Sequence, residues 1–208
     1  MSRFIKLIKS IYYSLRFEGH RIHKLPIFCS PNSQLTKHRT GKLIIRKRLK
    51  IGSNYSRLCT GKSTVHIRKD AELHIDGDVG LGFGVNLIVN DFAKISIGDN
   101  TYFAGDCKIY ASEEIRVGSD CAIAWGLTLI DTDFHSVKID NKERKNSAPI
   151  KIGNHVWIGA NCSILKGVTI GEHSVIAAGS IITSDIPPGS VAAGNPAKVI
   201  KSNISWKL

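Results

Sequence analysis

The stretch Ile152-Gly-Asn-His-Val-Trp-Ile158-Gly-Ala-Asn-Cys-Ser-Ile164-Leu-Lys-Gly-Val-Thr-Ile170-Gly-Glu-His-Ser-Val-Ile176-Ala-Ala-Gly-Ser-Ile-Ile182 sets the architecture of this chain. Isoleucine stands at 152, 158, 164, 170, 176 and 182, and Gly153, Gly159, Gly171 and Ala177 directly follow four of these. Four residues past each isoleucine come Val156, Cys162, Val168, Ser174, Ser180 and Ile186, all of small or moderate volume. A helix repeats its apolar positions every 3.6 residues and a strand every two, so a six-residue step belongs to neither.

A unit of six with one large aliphatic and one smaller residue fits a coil with three short flat sides, each turning the chain and pointing one aliphatic inward. Three units make a coil of eighteen, and the strand-like Ile150-Lys-Ile-Gly153, Val168-Thr-Ile-Gly171 and Ile186-Pro-Pro-Gly189 recur at that distance. Stacked coils bury a column of aliphatics that one coil cannot bury alone. Upstream, Ile97, Phe103 and Ile109 keep the step, and Val117, Ile123 and Leu129 resume it after a two-residue slip. Val79 and Val85 continue it until Asp91 interrupts. The pattern fades before about residue 65, although Leu49-Lys-Ile-Gly52 hints at an earlier coil.

This pattern closely resembles the hexapeptide-repeat acyltransferases over roughly residues 70–201, most specifically in Gly153-Asn-His-Val-Trp-Ile-Gly159 and Ala193-Gly-Asn-Pro-Ala-Lys-Val-Ile200. The resemblance implies an all-β fold, a left-handed parallel β-helix. The hand comes from the resemblance alone, since parallel crossovers are ordinarily right-handed. The chain divides into a basic N-terminal arm (1–35), a hexapeptide-repeat domain (36–201) and a tail (202–208). Ile186-Pro-Pro-Gly189 and Gly194-Asn-Pro196 should end the regular coils, because proline cannot donate to a ladder.

Six residues past Leu129 comes His135, where the coil wants an aliphatic. Residues 136–149 are polar and highly charged with no hexad, and the repeat returns at Ile150 and Ile152. A protruding loop therefore leaves the scaffold just after Asp131-Thr-Asp-Phe-His135, and loops on rigid scaffolds are where catalytic groups concentrate. Members of the resembled family that acetylate sugars or antibiotics on oxygen carry a catalytic histidine before such a loop. The resemblance thus makes His135 the general base. An imidazole with an ordinary pKa of about 6.5 is in good part neutral at physiological pH, able to take the proton of a hydroxyl as its oxygen attacks a thioester. Asp131 or Asp133 would orient the ring and stabilise its protonated form.

No glycine-rich phosphate loop ahead of a helix supports a Rossmann or P-loop module. The resemblance instead places acetyl-CoA in a groove between neighbouring subunits, which implies a homotrimer. Trp157 would wall that groove near the thioester, the backbone at Ala160 and Ala178 would pair with the pantetheine amides, and Thr183, Lys198 and Lys201 would face the nucleotide end. His155 and His173, eighteen apart, should stack on one corner, but Asn100 and Asp120 in the matching slots mark a solvent-facing turn position and no third ligand is evident. No metal is expected. His20, His23, His38, His66 and His74 form no recognisable constellation. Among five cysteines, Cys107, Cys121 and Cys162 fall in the smaller-residue slot and read as packing, and no pair has the short spacing of a zinc or redox motif.

The net charge of +12 is local: residues 1–50 hold thirteen Lys and Arg and one acid, Glu18, whereas residues 51–208 hold sixteen of each sign. Residues 3–17 place Phe4, Leu7, Ile8, Ile11 and Leu15 at helical spacing, with Lys6, Lys9 and Arg16 elsewhere on the wheel. This basic amphipathic helix either lies on an anionic membrane face or caps the open end of the coils. Charge without an aromatic-rich recognition motif does not support nucleic acid as a partner. A composition of 42% hydrophobic and 22% charged residues excludes wholesale disorder. No apolar run reaches the roughly 18 residues of a membrane span and no secretory signal is evident, so a cytoplasmic chain is expected, with the arm admitting the inner membrane face. The expected activity is transfer of acetyl from acetyl-CoA to a hydroxyl of a sugar, in a surface polysaccharide precursor. A carrier-protein-dependent or N-acyl transferase of the same fold and a non-catalytic scaffold are the alternatives.

Overall fold

The computed structural model describes residues 2–18, 25–55 and 59–207. From Ile27 onward the chain winds into a three-sided, left-handed parallel β-helix. Side A stacks nine strands from Ile27–Cys29 to Ala197–Ser202, side B seven from Ser33–Lys37 to Ile181–Ile182, and side C six from Lys42–Ile45 to Thr169–Ile170. The last strand of side A, Ala197–Ser202, turns back antiparallel on Ser190–Gly194.

The repeated isoleucines are the core, and each stacks on its counterparts one coil away. Ile158 lies in register with Ile123 and Ile176, and Ile164 with Leu129 and Ile182, all of them buried. The smaller slots fill the corners: Cys107, Cys121 and Cys162 are buried, and the Cys162 thiol donates to the Ala177 carbonyl at 3.2 Å. Burial pushes the Cys107 thiol up to about 11 and that of Cys29 up to about 12, which keeps both protonated and unreactive. Asn100, Asp120, His155 and His173 occupy one recurring corner with φ between 53° and 60°. Asn, Asp and His tolerate that left-handed backbone better than other side chains do. Gly159 has a different reason to be glycine. A Cβ there would sit 2.6 Å from the Ala178 backbone nitrogen in the next coil.

Past a 30-residue coil that pairs Leu43 with Leu73, coil length shrinks along the regular part of the stack. Leu73 pairs with Ile95, 22 residues on, Phe103 with Ile123, 20 on, and Ile158 with Ile176, 18 on. Strands shorten in step, from the six residues of Asp78–Phe83 to the two of Trp157–Ile158 and Ser163–Ile164. The six-residue step therefore fades upstream because the coils lengthen, not because they stop. Both Ile115 and Val117 point inward from one side-C strand, which accounts for the two-residue slip. The first coil opens at Ile27, inside the segment that the sequence alone assigned to the arm.

The N-terminal helix, Ser2–Glu18, packs against Ile27–Cys29 and Lys42–Ile45 and covers the end of the first coil. It docks by its polar face. The Ser10 and Ser14 hydroxyls accept the Cys29 and Ile27 amides at 3.1 and 3.3 Å, and the Tyr13 hydroxyl accepts the Leu35 amide at 3.3 Å. Lys9 donates to the Ser33 carbonyl at 3.1 Å, and Tyr13 and Phe17 pack on the core. The edge amides of an open coil, otherwise a template for pairing, are partnered in this way. Of the histidines without a constellation, His20 and His23 lie outside the described residues.

Candidate active site

Where coils of 20 residues give way to coils of 18, one turn takes 35, with Leu129 pairing with Ile164. The surplus, residues 131–149, leaves at the corner between sides B and C. Its base is zipped: the Asp133 amide donates to the Asn146 carbonyl at 2.7 Å and the Ala148 amide to the Asp131 carbonyl at 3.0 Å. Its outer part, a loop without a repeat in the sequence, is an antiparallel hairpin of Val137–Ile139 on Lys142–Arg144. Asp140 and Asn141 turn it, with φ of 51° and 60°, the doubly left-handed turn that suits the twist of a two-residue hairpin.

Three side-chain clamps fix this loop to its neighbours. Asp131 is fully buried, and its two carboxylate oxygens accept the Ser112 and Glu113 amides at 2.6 and 2.8 Å. Burial pushes this carboxyl above the ordinary carboxylate range while the amide hydrogen bonds pull it back. Glu113 receives the Lys145 ammonium at 2.9 Å and the Ser147 hydroxyl at 3.0 Å, and the Lys145 hydrogen bond holds its carboxyl below the usual range. On the other side, Lys166 in the next coil meets Asp133 at 2.6 Å and donates to the Lys145 carbonyl at 2.7 Å. Both aspartates expected to orient His135 thus hold the loop instead, Asp131 to the preceding coil and Asp133 to the following one.

His135 sits at the exit of this loop, exposed on the B/C edge. Phe134 before it has φ 60° and packs its ring on Tyr110 at a centroid distance of 5.0 Å, which anchors the backbone beside the imidazole. Among the described residues the His135 ring has no hydrogen-bond partner. Its nitrogens are open to a substrate, and a neutral imidazole so placed can take up a proton.

The residues assigned to the donor divide between two parts of the prism. Trp157 projects outward from side A, 45% exposed, and Lys198 and Lys201 are exposed on the last strand of the same side. Ala160 and Ala178 stack on the A/B corner, where the Ala160 carbonyl accepts the Gly179 amide at 2.8 Å. Thr183 is exposed on the B/C edge, two rungs beyond the strand that precedes His135. In a three-sided coil, side A lies across the body from the B/C edge. One chain therefore gathers His135 with Thr183, and Trp157 with Ala160, Ala178, Lys198 and Lys201, but does not bring the two groups together.

One residue of this region escaped the sequence reading. Trp206, in the C-terminal tail, stacks on His155 with ring centroids 4.1 Å apart and lies 6.1 Å from the Trp157 ring. Its indole N–H donates to the His155 carbonyl at 3.0 Å, and its own carbonyl lies 3.1 Å from His155 Nε2. The tail is thus latched onto its own chain beside Trp157. His155 and His173 stand 5.2 Å apart, and among the described residues no three His, Cys, Asp or Glu side chains gather as a metal-ligand set.

Comparison with known proteins agrees with this architecture. Residues 149–184 match the bacterial transferase hexapeptide (six repeats) family. Galactoside O-acetyltransferase of Escherichia coli (strain K12) is 44% identical over 113 residues, 52% of this chain and 54% of that protein, so the chain spans about half the length of that relative. Among solved structures, the polySia specific acetyltransferase NeuO superposes with a TM-score of 0.66 at 28% identity, over 86% of this chain and 74% of that one. The polysialic acid O-acetyltransferase OatWY shares the fold, with a TM-score of 0.59 at 24% identity over 88% of this chain and 90% of its own.

Proposed function

We propose that this hexapeptide-repeat chain, with O-acetyltransferases among its relatives, transfers acetyl from acetyl-CoA to a sugar hydroxyl in a surface polysaccharide precursor. His135 takes the hydroxyl proton as the oxygen attacks the thioester carbonyl. The C–O bond forms, the C–S bond breaks, and the imidazolium returns its proton to the departing sulfur of CoA. Asp131 and Asp133 act on His135 through the loop they fix rather than by touching its ring. Trp157 walls the acyl end of the donor groove, backbone at Ala160 and Ala178 meets the pantetheine amides, and Thr183, Lys198 and Lys201 face the nucleotide. Lysines suit phosphate as point charges, so their share weakens with salt. A reducing cytoplasm, where buried thiols persist, is the compartment this reading implies.

The observation that carries the proposal is the split between the B/C edge and side A. A site that needs both His135 and Trp157 is complete only where the edge of one chain meets side A of another, as in a closed homotrimer. The test is complementation. Thiol release from acetyl-CoA is measured with a panel of sugars, nucleotide sugars and glycolipid precursors for wild type, His135→Ala, Trp157→Ala and co-refolded mixtures of the two variants. Each variant alone should lose activity, while a random mixture pairs an intact edge with an intact side A at about a quarter of its interfaces and recovers activity accordingly. Recovery no greater than the sum of the separate variants would place the site within one chain. Acceptor-independent behaviour of the wild type with every sugar would remove the sugar assignment.

A further inference from the structure

We infer that the N-terminal helix lays its outward face on an anionic lipid bilayer, so that the β-helix stands on the membrane by its first coil. A surface helix ordinarily turns its apolar stripe to the core and its charges to water. Here most of the apolar stripe faces the other way. The docked face carries Ser10, Ser14 and Lys9, with the rings of Tyr13 and Phe17 as its apolar part, and is consumed in docking to the first coil. Phe4, Ile5, Leu7, Ile8, Ile11, Tyr12 and Leu15 are left pointing outward, 38–69% exposed. At 100° per residue these seven cover an arc of about 160°. Because the docked face meets the first strands of all three sides, the apolar arc is the outermost surface at that end of the stack.

Charge selects the occupant. The first fifty residues carry thirteen basic side chains against one acid, and the first turn of the helix has no acid. Arg16 borders the apolar arc, while Lys6, exposed, lies on the opposite side of the helix, about 180° from the centre of the arc. A second copy placed face to face would bring the same positive charge against itself. A bilayer containing anionic lipids answers both the apolar arc and the basic charge of this end, each Lys or Arg near such a surface contributing about 1 kcal/mol. No helix among the described residues is long and apolar enough to cross a membrane, and a 17-residue amphipathic helix lies in the interface plane. This inference does not depend on the transfer reaction.

The test is flotation of the full chain with vesicles of phosphatidylcholine alone or with about 30 mol% phosphatidylglycerol, at about 0.1 and 0.5 M NaCl. Wild type should float with the anionic vesicles, not the neutral ones, and release at high salt. Leu7→Ser/Ile8→Ser/Ile11→Ser removes only exposed side chains, so its circular dichroism and melting temperature should match wild type while its binding falls by about tenfold or more. Failure of wild type to float with anionic vesicles overturns the inference, as does undiminished flotation of the triple variant. A triple variant that lowers the oligomer mass, from a wild type that ignores vesicles, assigns the arc to a contact between copies.

Discussion

The two ends of this β-helix solve the same packing problem at different widths. Coils of 22 residues near the N-terminus run four to six residues along a side and bury aliphatics in pairs, as Leu73 with Ile75 and Leu87 with Val89. Coils of 18 near the C-terminus have two-residue strands and place one isoleucine in each, backed by a smaller residue at the corner. Wide coils have room for an aromatic: Phe103 is fully buried in register between Leu81 and Ile123. Among the described residues, the tight coils bury no aromatic side chain, and Trp157 projects outward. The lesson is that one hydrogen-bonding scheme tolerates several coil lengths, and that the residues left over at a change of length become the loop that carries His135.

The sharpest experiment on this contrast removes the side chain at the seam. His135→Ala should lower kcat/KM by about 10²- to 10⁴-fold, with the melting temperature unchanged because an exposed ring without hydrogen bonds holds nothing together. Next in size is Phe103→Ala, which should cost about 3–5 kcal/mol in chemical denaturation by leaving a ring-sized cavity in a wide coil. Overpacking should then discriminate the two ends directly. Ile158→Phe in a tight coil is expected to lose about 1–3 kcal/mol, and Leu81→Phe in a wide coil less than half as much; equal losses would mean the coils differ in length but not in spare volume. Trp206→Ala should raise KM for acetyl-CoA by up to about tenfold while sparing kcat, with Trp206→Phe restoring part of the effect through stacking on His155. An unchanged KM would leave the latch purely structural.

The smallest effect concerns the wide coils alone. Hydrogen bonds from Lys42 and His74 pull the Glu72 carboxyl down to about 2. An unfolded glutamate titrates near about 4.3, so the group adds stability above that pH and the contribution is lost as pH falls from there towards 2. Solvent screening keeps it under about 1 kcal/mol. Glu72→Gln should therefore melt slightly below wild type at pH 6, and the difference should vanish by about pH 2.

Much of this molecule was legible in the chain because the tight coils repeat without error. The eighteen-residue period pointed directly to the inward isoleucines and to the corner that His155 and His173 share; the left-handed backbone of that corner was not read from it. The wide coils hid from a six-residue count since their extra residues lengthen strands. Their true signal is alternation, Leu43/Ile45, Leu73/Ile75, Ile95/Ile97 and Ile115/Val117, each pair one rung of side C. His135 was visible for the opposite reason, as a break in register. The role of Asp131 was not, because a carboxylate beside a histidine reads the same whether it faces the ring or folds back on the amides of Ser112 and Glu113. Trp206 had no period to betray it. The polar stripe by which the N-terminal helix docks was missed because amphipathicity names two faces without saying which one the fold will use.

Side B counts four steps from Ser33–Lys37 to Thr128–Ile130, the strand that leads into His135. At one strand spacing per step, the reactive corner stands about 19 Å above the first coil. Since each coil touches only its neighbours, inserting or deleting one would raise or lower that corner by a single spacing and leave its geometry intact. The fold is in this sense a ruler graduated in whole coils, and the altitude at which chemistry happens is a quantity that evolution, or an engineer, can set by counting.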